Sequence, residues 1–261
     1  MISINYSATP PLEALIFDVD GTLAETERDG HRVAFNQAFQ ECGLPWHWPV
    51  GLYGQLLRVA GGKERIRYYI DRYQPSFQPG ADVDDLIGVL HQAKTEHFKA
   101  LVETGVIPLR PGVRRLLDEA RRHAIRLAIA TTSAKENVIP LLETLLGPDS
   151  PGWFSLIAAG DMVPNKKPAP DIYQLVLRTL NLNPNRCLVI EDSQQGLEAA
   201  AAAGLKVVVT VNDYTRKQPL ATAELVVNHL GEPHLPFEVL GGNAGQAYYF
   251  SLDLAKALVG D

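Results

Sequence analysis

The sequence predicts an α/β fold, a doubly wound parallel sheet into which an all-helical domain is inserted. Beyond residue 111, short apolar runs alternate with amphipathic helical patterns, the order that βαβ units produce. Before it, residues 27–103 show helical spacing of apolar residues and no β-branched strand run. We therefore expect an α/β core formed by residues 11–25 and 105–261, and a helical cap formed by residues 26–104.

Six strands are expected, each an apolar run that ends in polar or turn residues. They are residues 12–17, 125–130, 154–159, 186–190, 206–210 and 224–227. The helical patterns between and after them end near residue 123 or cover residues 135–146, 171–180, 194–203 and 251–258. Residues 231–250 show no clear pattern. In a sheet of this kind, ligands bind beyond the carboxyl ends of the strands.

Composition and charge exclude several function classes. The chain has 30 Asp and Glu against 24 Lys and Arg, a formal net charge of -6, which argues against nucleic acid or an anionic membrane as partner. No apolar run is long enough to span a bilayer, and the start of the sequence lacks a signal-peptide pattern. The two cysteines show no paired metal or redox spacing. We expect a cytoplasmic protein, and nothing in the sequence requires more than a monomer.

The first strand runs directly into two aspartates. Asp18 and Asp20 are two residues apart, so in extended backbone their side chains point the same way and can address one substrate group. Gly21 permits the sharp turn that follows. A polar turn and an isolated calcium loop are the alternatives, although no Glu closes the loop as an EF-hand requires.

Three more polar segments follow apolar runs. Residues 131–133 (Thr-Thr-Ser) offer hydroxyls and amides at a helix start, Lys167 precedes a proline-initiated helix, and Glu191 with Asp192 ends the fourth strand. An ordinary helix cap, a solvated lysine and a polar cap are the respective alternatives. Carboxylates aimed at one cleft repel each other unless a cation lies between them, and a small set of oxygen ligands favours Mg²⁺.

These motifs together resemble the haloacid dehalogenase superfamily, with Asp-x-Asp-Gly-Thr, Thr/Ser, Lys-Pro and Glu-Asp-Ser-x-x-Gly in order over nearly the whole chain. The resemblance implies a phosphatase in which Asp18 attacks phosphorus to form an aspartyl-phosphate, while Asp20 acts as general acid and base. Thr131 and the Thr132 amide would hold phosphoryl oxygens, and Lys167 would neutralise charge. By the same resemblance, Mg²⁺ would be held by the Asp18 carboxylate, the Asp20 carbonyl and Asp192, with Glu191 in support. Asp20 would need enclosure or the phosphate charge to stay protonated.

Substrate choice must come largely from the cap, because the core motifs recognise only the phosphoryl group. Gly61 and Gly62 precede a cationic helix start with Lys63 and Arg65, which is either a second anion cradle or a helix–helix turn with exposed basic residues. If the cradle binds phosphate, the substrate has two anionic groups. A sugar bisphosphate fits that requirement.

Residues 24–36, 46–48 and 61–66 are similar to the cap segments of the CbbY-type xylulose-1,5-bisphosphate phosphatases, which remove an inhibitor of Rubisco in photosynthetic organisms. This resemblance implies that cap residues contact the sugar and its distal phosphate. Glu27 and His31 would face the hydroxyls, Tyr53 and Arg58 would line the cap side, and Lys63 with Arg65 would hold the distal phosphate. Tyr53 as cap core and His31 as an interhelical histidine are the alternatives.

Two rival functions remain at this level. A β-phosphoglucomutase has almost the same core motifs but returns the phosphoryl group to the sugar. A non-catalytic module that binds a phosphorylated ligand is the second rival, and loss of Asp18, Asp20, Lys167 or Asp192 would be its signature. None of the four is lost.

Overall fold

A computed structural model describes residues 12–59, 61–78 and 82–260 of the chain. Residue 11, the first of the predicted core, lies outside them. The strands are β1 Ala14–Phe17, β2 Arg126–Ala130, β3 Leu156–Ala158, β4 Cys187–Glu191, β5 Lys206–Thr210, β6 Leu225–Val227 and β7 Val239–Gly242. They form one sheet in the order β3-β2-β1-β4-β5-β6-β7.

The helices fall into two groups along the chain. Between β1 and β2 lie α1 Arg32–Glu41, α2 Val50–Leu56, α3 Gly62–Tyr73, α4 Val83–Glu103 and α5 Val113–Arg122. Later come α6 Lys135–Leu146, α7 Asp171–Leu180, α8 Gln194–Ala202 and α9 Leu252–Gly260. Helices α1 to α4 occupy the segment in which helical patterns were predicted, whereas the rest alternate with strands. Among the described residues, no helix has both the length and the apolar character needed to cross a bilayer.

The predicted parallel sheet is confirmed, and one antiparallel strand is added at its edge. Strands β1 to β6 pair in parallel, but β7 pairs antiparallel with β6 and an irregular register falls between Val226 and Val227. Strand β7 was not predicted because it is short, ends in two glycines and is mostly exposed, so it shows neither the apolar run nor the alternation that marks a strand. The α/β class and the double winding are confirmed.

Strand β1 is central because both of its faces are covered. Leu15 and Phe17 pack into the apolar cluster that includes α5 and α9, and Ala14 with Ile16 packs into the cluster on the other face that includes α7 and α8. A strand buried on both faces must be apolar at every position, which is why its sequence does not alternate.

The register of this strand places the site. Phe17 of β1 lies opposite Ile129 of β2 on one side and opposite Ile190 of β4 on the other. The polar residues that follow these strands therefore emerge level with each other at the same edge of the sheet, and parallel neighbours are only about 5 Å apart. The fold thus brings the chemical groups of three distant segments together.

A third apolar cluster lies among the inserted helices and is largely aromatic. Phe35, Phe39, Trp48 and Tyr53 are almost fully buried in it, and edge-to-face and tilted contacts join their rings. Tyr214, from the segment after β5, packs against this cluster. The inserted helices therefore have a core of their own, to which one side chain from beyond the sheet is added.

The chain's last segment completes the main core. Phe250 is fully buried and belongs to the same cluster as Phe17, so Phe250→Ala should lower the free energy of unfolding by about 3–5 kcal/mol. Tyr248→Ala, at a side chain that is 50% exposed, is the matched control and should change it by less than about 0.5 kcal/mol. Urea denaturation measures both. A loss of unfolding free energy for Phe250→Ala as small as that for Tyr248→Ala would show that Phe250 does not belong to the core.

Candidate active site

A single ammonium group joins the strand ends. Lys167 is almost fully buried, and its Nζ donates to Asp18 Oδ1 at 2.8 Å, to Glu191 Oε1 at 2.6 Å and to the Ala130 carbonyl at 2.9 Å. Asp18 directly follows β1, whereas Glu191 and Ala130 are the last residues of β4 and β2. The two carboxylates hold the pKa of Lys167 well above its usual value although burial alone would lower it. Lys167 therefore remains a cation, as predicted for a group that neutralises negative charge.

Glu191 is a support for this cation. Oε1 also accepts from the Tyr173 hydroxyl at 2.9 Å, and Oε2 accepts from the backbone N–H of Asp192 and of Ser193. Burial would raise the pKa of Glu191, but Lys167 and these hydrogen bonds keep it below its ordinary value. Both oxygens are engaged, which fits a supporting position better than a direct metal ligand.

The two aspartates of the cluster lack such compensation. Burial raises the pKa of Asp18 to about 8, although the Lys167 ammonium acts in the opposite direction. The nearby Glu191 and Asp20 carboxylates add to the rise. Burial, together with Glu191 and Asp18, raises the pKa of Asp192 well above its usual range, although Asn212 Nδ2 donates to its Oδ2 at 2.6 Å. Three buried carboxylates share one ammonium, so the cluster has an excess of negative charge.

This excess is the chemistry that a divalent cation relieves. Asp18, Glu191 and Asp192 each offer an oxygen, and the three oxygens lie within 4.8 Å of one another. Oxygen-only donors suit a hard cation. The residues present therefore fit the divalent metal that the motifs predicted.

Asp20 faces the other direction, toward the cap. Its Oδ1 accepts from Thr26 Oγ1 at 2.6 Å and pairs with His31 Nε2 at 2.9 Å, and its Oδ2 accepts from Ser133 Oγ at 2.5 Å. Burial would raise the pKa of Asp20, but the charge and hydrogen bond of His31, with the two hydroxyls, hold it well below the usual value. We expected an environment that keeps Asp20 protonated; the structure surrounds it with donors that favour its ionised form.

The turn after Asp20 needs glycine. Gly21 has a φ of +83°, and a Cβ there would lie 2.5 Å from Asp192 Oδ2 and 2.7 Å from Asn212 Nδ2. A side chain would thus fill the space beside a carboxylate of the acidic cluster. Glycine is therefore needed here for two reasons: it adopts the positive φ, and it leaves space for the close approach of Asp192 and Asn212.

The two threonines after β2 are placed differently. Thr132 lines the site cavity. Thr131 is buried, and its Oγ1 accepts from the backbone N–H of Ser133 at 3.1 Å, so it shapes the turn. The predicted contact of Thr131 with a phosphoryl oxygen stays a prediction.

A cavity of about 530 Å³ lies between the strand ends and the inserted helices. Asp18, Asp20 and Lys167 line its core side, and Glu27, Arg58 and Arg65 line its cap side. That volume suits a small organic molecule. The structure therefore brings most of the sequence-predicted residues around one space.

Glu27 and Tyr53 form a pair on the cap side. The Tyr53 hydroxyl donates to Glu27 Oε2 at 2.5 Å, and the Arg65 guanidinium lies 5.4 Å from the Tyr53 ring centre. Tyr53 is fully buried and belongs to the apolar cluster of the inserted helices, so it is part of the cap core, and its predicted role in the site stays a prediction. Glu27 begins a single π-helical turn, Glu27–His31, that carries both Glu27 and His31; such turns are frequent at functional sites.

The predicted distal cradle is not assembled as expected. Arg65 is buried, and its guanidinium donates to the Leu56 and Val59 carbonyls. Lys63 lies beside a different surface hollow, with Arg67 and Tyr68. The structure therefore places Arg65 and Arg58 at the cavity but not Lys63, because α3 turns its successive side chains to different sides.

Sequence reasoning missed several groups that complete the site. Thr26 and Ser133 hold Asp20, Tyr173 holds Glu191, and Asn212 holds Asp192. Ser133 lay within a segment that had been singled out, so position relative to the strand end could have found it. Tyr173 has the spacing of an ordinary core residue on α7, and Asn212 follows a strand without any motif, so neither gave a signal.

Comparison with known proteins places the chain in a family. Residues 12–204 match the haloacid dehalogenase-like hydrolase family. The plasmid-borne protein CbbY of Cupriavidus necator is 47% identical over 225 residues, 86% of this chain and 88% of that protein. The crystal structure of CbbY from Rhodobacter sphaeroides in complex with phosphate matches with a TM-score of 0.76 and 46% identity over 84% of this chain and 94% of that one.

A mutant of the same Rhodobacter sphaeroides protein, in complex with xylulose-1,5-bisphosphate, matches with a TM-score of 0.76 and 45% identity, again over 84% of this chain and 94% of that one. The prediction of an enzyme with phosphatase activity is confirmed at the level of the reaction class. The chain belongs to the haloacid dehalogenase-like hydrolases.

Proposed function

We propose that this protein is a Mg²⁺-dependent phosphatase that hydrolyses a sugar bisphosphate, xylulose-1,5-bisphosphate, through an aspartyl-phosphate on Asp18. The observation that best supports this proposal is the hydrogen bond from Lys167 to Asp18 Oδ1. It lies at the base of a cavity whose opposite wall is formed by cap side chains. A similar protein binds this sugar bisphosphate in a crystal. A chain that contains both the phosphoryl-transfer groups and a matching cap is suited to the same substrate class.

Covalent catalysis assigns the first step to Asp18. Its carboxylate attacks phosphorus and the ester oxygen leaves, which divides one difficult hydrolysis into two easier displacements. Lys167, held in place by Glu191 and the Ala130 carbonyl, neutralises part of the charge shared by Asp18 and the phosphoryl group. A fixed buried cation needs no reorganisation when the transition state forms.

Asp20 carries the protons of both steps. The donors of Thr26, His31 and Ser133 hold its carboxylate as an acceptor, ready to take a proton from the water that attacks the aspartyl-phosphate. Asp20 gives this proton to the leaving oxygen of a substrate, and the negative charge of a bound phosphoryl group beside it favours the acid form that this step needs. Because two of the three donors come from the segment that enters the cap, this proton carrier depends on cap position.

Asp18 and Asp192 would hold Mg²⁺, with the Asp20 carbonyl as a further ligand and Glu191 in support. When bound, the cation supplies charge neutralisation at the phosphoryl oxygens and removes repulsion between Asp18 and the substrate. Asn212, bonded to Asp192 Oδ2, orients that ligand. Glu27, Arg58 and Arg65, which line the cavity, would contact the sugar and its distal phosphate, while Tyr53 would act through Glu27 and His31 mainly through Asp20.

The first prediction concerns substrate and reaction type. Among a panel of sugar phosphates, xylulose-1,5-bisphosphate should show the highest kcat/KM, with release of inorganic phosphate. Asp18→Asn should lower kcat by at least about 10⁴-fold, because no covalent intermediate can form. Isomerised sugar monophosphate without net phosphate release would instead identify a mutase, and wild-type turnover by Asp18→Asn would contradict the assignment.

The second prediction concerns the metal. Mg²⁺ at 100 times its Kd should add about 2.7 kcal/mol to the free energy of unfolding, seen as a rise of several degrees in the Tm. Asp192→Asn should remove most of this rise. Glu198→Gln is the control, because Glu198 also lines the cavity but lies outside the acidic cluster. Full phosphatase activity in excess EDTA, or an equal Tm response in all three proteins, would refute the metal site.

The third prediction concerns the cap. Glu27→Gln should lower kcat/KM for xylulose-1,5-bisphosphate by about ten- to a hundredfold, since a buried charge-assisted hydrogen bond is weakened. Hydrolysis of p-nitrophenyl phosphate, which has no sugar, should fall far less. Glu96→Gln, an exposed carboxylate on α4, is the matched control. Equal losses on both esters would place Glu27 outside sugar recognition.

A further inference from the structure

A short segment after β5 touches both halves of the site. It is defined here as the clamp segment, residues 212–218. Asn212, Tyr214 and Gln218 from it line the cavity, although no motif marked it in the sequence. Both of its ends are bonded to the core, and its aromatic side chain enters the cap.

Hydrogen bonds hold the clamp segment to the core. Asn212 Nδ2 donates to Asp192 Oδ2 at 2.6 Å, while Asn212 Oδ1 accepts from the Tyr214 backbone N–H at 2.9 Å. The Asn212 backbone N–H donates to Thr215 Oγ1 at 3.0 Å, and Gln218 Oε1 accepts from the Gln194 backbone N–H at 2.6 Å. This turn therefore has a defined position relative to the acidic cluster.

The Tyr214 ring fits a notch in helix α2. It lies edge-to-face on Tyr53, with 5.9 Å between ring centres. A Cβ on Gly54 would lie 2.9 Å from Tyr214 Cδ1 and 3.3 Å from Cε1, so only glycine at position 54 admits the ring so closely. Glycine is costly inside a helix, and this contact gives a reason for it.

Apart from the hydrogen bonds of Thr26 and His31 to Asp20, the polar contacts between core and cap near the cavity lie closer to the surface. Arg28 pairs with Asp213 at 2.7 Å, and Lys166 with Glu64 at 3.7 Å, but these side chains are largely exposed. Exposed ion pairs contribute little. Gln195 Nε2 donates to the Arg58 carbonyl at 3.0 Å, also near the surface. The Tyr214 ring is the apolar contact that enters the cap's own cluster.

We propose that Tyr214 is a positioning residue that determines selectivity for the sugar: its ring, seated against Gly54 and Tyr53, aligns the Tyr53–Glu27 pair with the phosphoryl-transfer groups. The inference rests on the proposed function. The Tyr214 ring contacts the Tyr53 ring, and the Tyr53 hydroxyl donates to Glu27. One side chain therefore fixes the position of this pair. The Tyr214 hydroxyl is buried and has no partner within the described part of the chain, so the ring and not the hydroxyl has this role.

Two variants test the contact from opposite sides. Tyr214→Ala removes the ring, and Gly54→Ala blocks its seat with a single methyl group. Each should lower kcat/KM for xylulose-1,5-bisphosphate at least tenfold, mainly by raising KM, and should lower the ratio of that value to kcat/KM for p-nitrophenyl phosphate. Tyr214→Phe should keep the wild-type ratio. Tyr68→Ala, an exposed tyrosine on α3, is the matched control and should also keep it.

The double variant separates a specific contact from general damage. Because Gly54→Ala acts only by displacing the ring, it should cause no further loss in the Tyr214→Ala background. Wild-type selectivity in both single variants, or additive losses in the double variant, would overturn the inference. If the wild-type protein prefers another sugar phosphate, the proposed substrate is wrong, and the same ratios measured with the preferred sugar phosphate decide the role of Tyr214.

Discussion

The buried ammonium of Lys167 is the group on which the arrangement of the site depends. It bonds residues at the carboxyl ends of β2 and β4 and the residue that follows β1, and the sheet order makes these three strands neighbours. Removing one partner of such a buried ion pair leaves an uncompensated charge, which is strongly destabilising. Even with Lys167 in place, the carboxylates outnumber it, and this imbalance fits a site for a divalent cation better than a closed structural ion pair.

The cap contributes to the same chemistry from the opposite side. Thr26 and His31 contact Asp20, and Tyr53 holds Glu27. Residues 26–31 therefore supply two donors to Asp20, the proposed proton carrier, and also Glu27, a proposed sugar contact. The clamp segment links them back to Asp192. Under the proposed function the two tasks are physically separate: the strand ends would bind the phosphoryl group, and the helical insert would select what is attached to it. Enclosure between the two excludes water and strengthens each electrostatic contact.

Much of the fold could be predicted from the sequence, because strands buried on both faces and amphipathic helices leave clear patterns. Helices α6 and α7 were predicted with the observed bounds. The short edge strand β7 was missed because an exposed strand that ends in Gly241 and Gly242 leaves no such pattern. Within the candidate site, the groups next to strand ends could be predicted, because their position in the fold implies their role. Tyr173, Asn212 and Tyr214 were missed because their roles arise only from contacts between segments far apart in the chain, and Lys63 was placed at the cavity because spacing alone does not give the direction of a side chain.

Under the proposed function, the Asp18 carboxylate becomes covalently phosphorylated during turnover. Reaction mixtures quenched with acid in the first turnover and reduced with borohydride convert an acyl phosphate at an aspartate into homoserine, which mass spectrometry of the peptides locates. Homoserine is expected at position 18 when xylulose-1,5-bisphosphate and Mg²⁺ are both present, and none without the substrate. Homoserine at another position, or none at all while phosphate is released at the full rate, would contradict this role of Asp18.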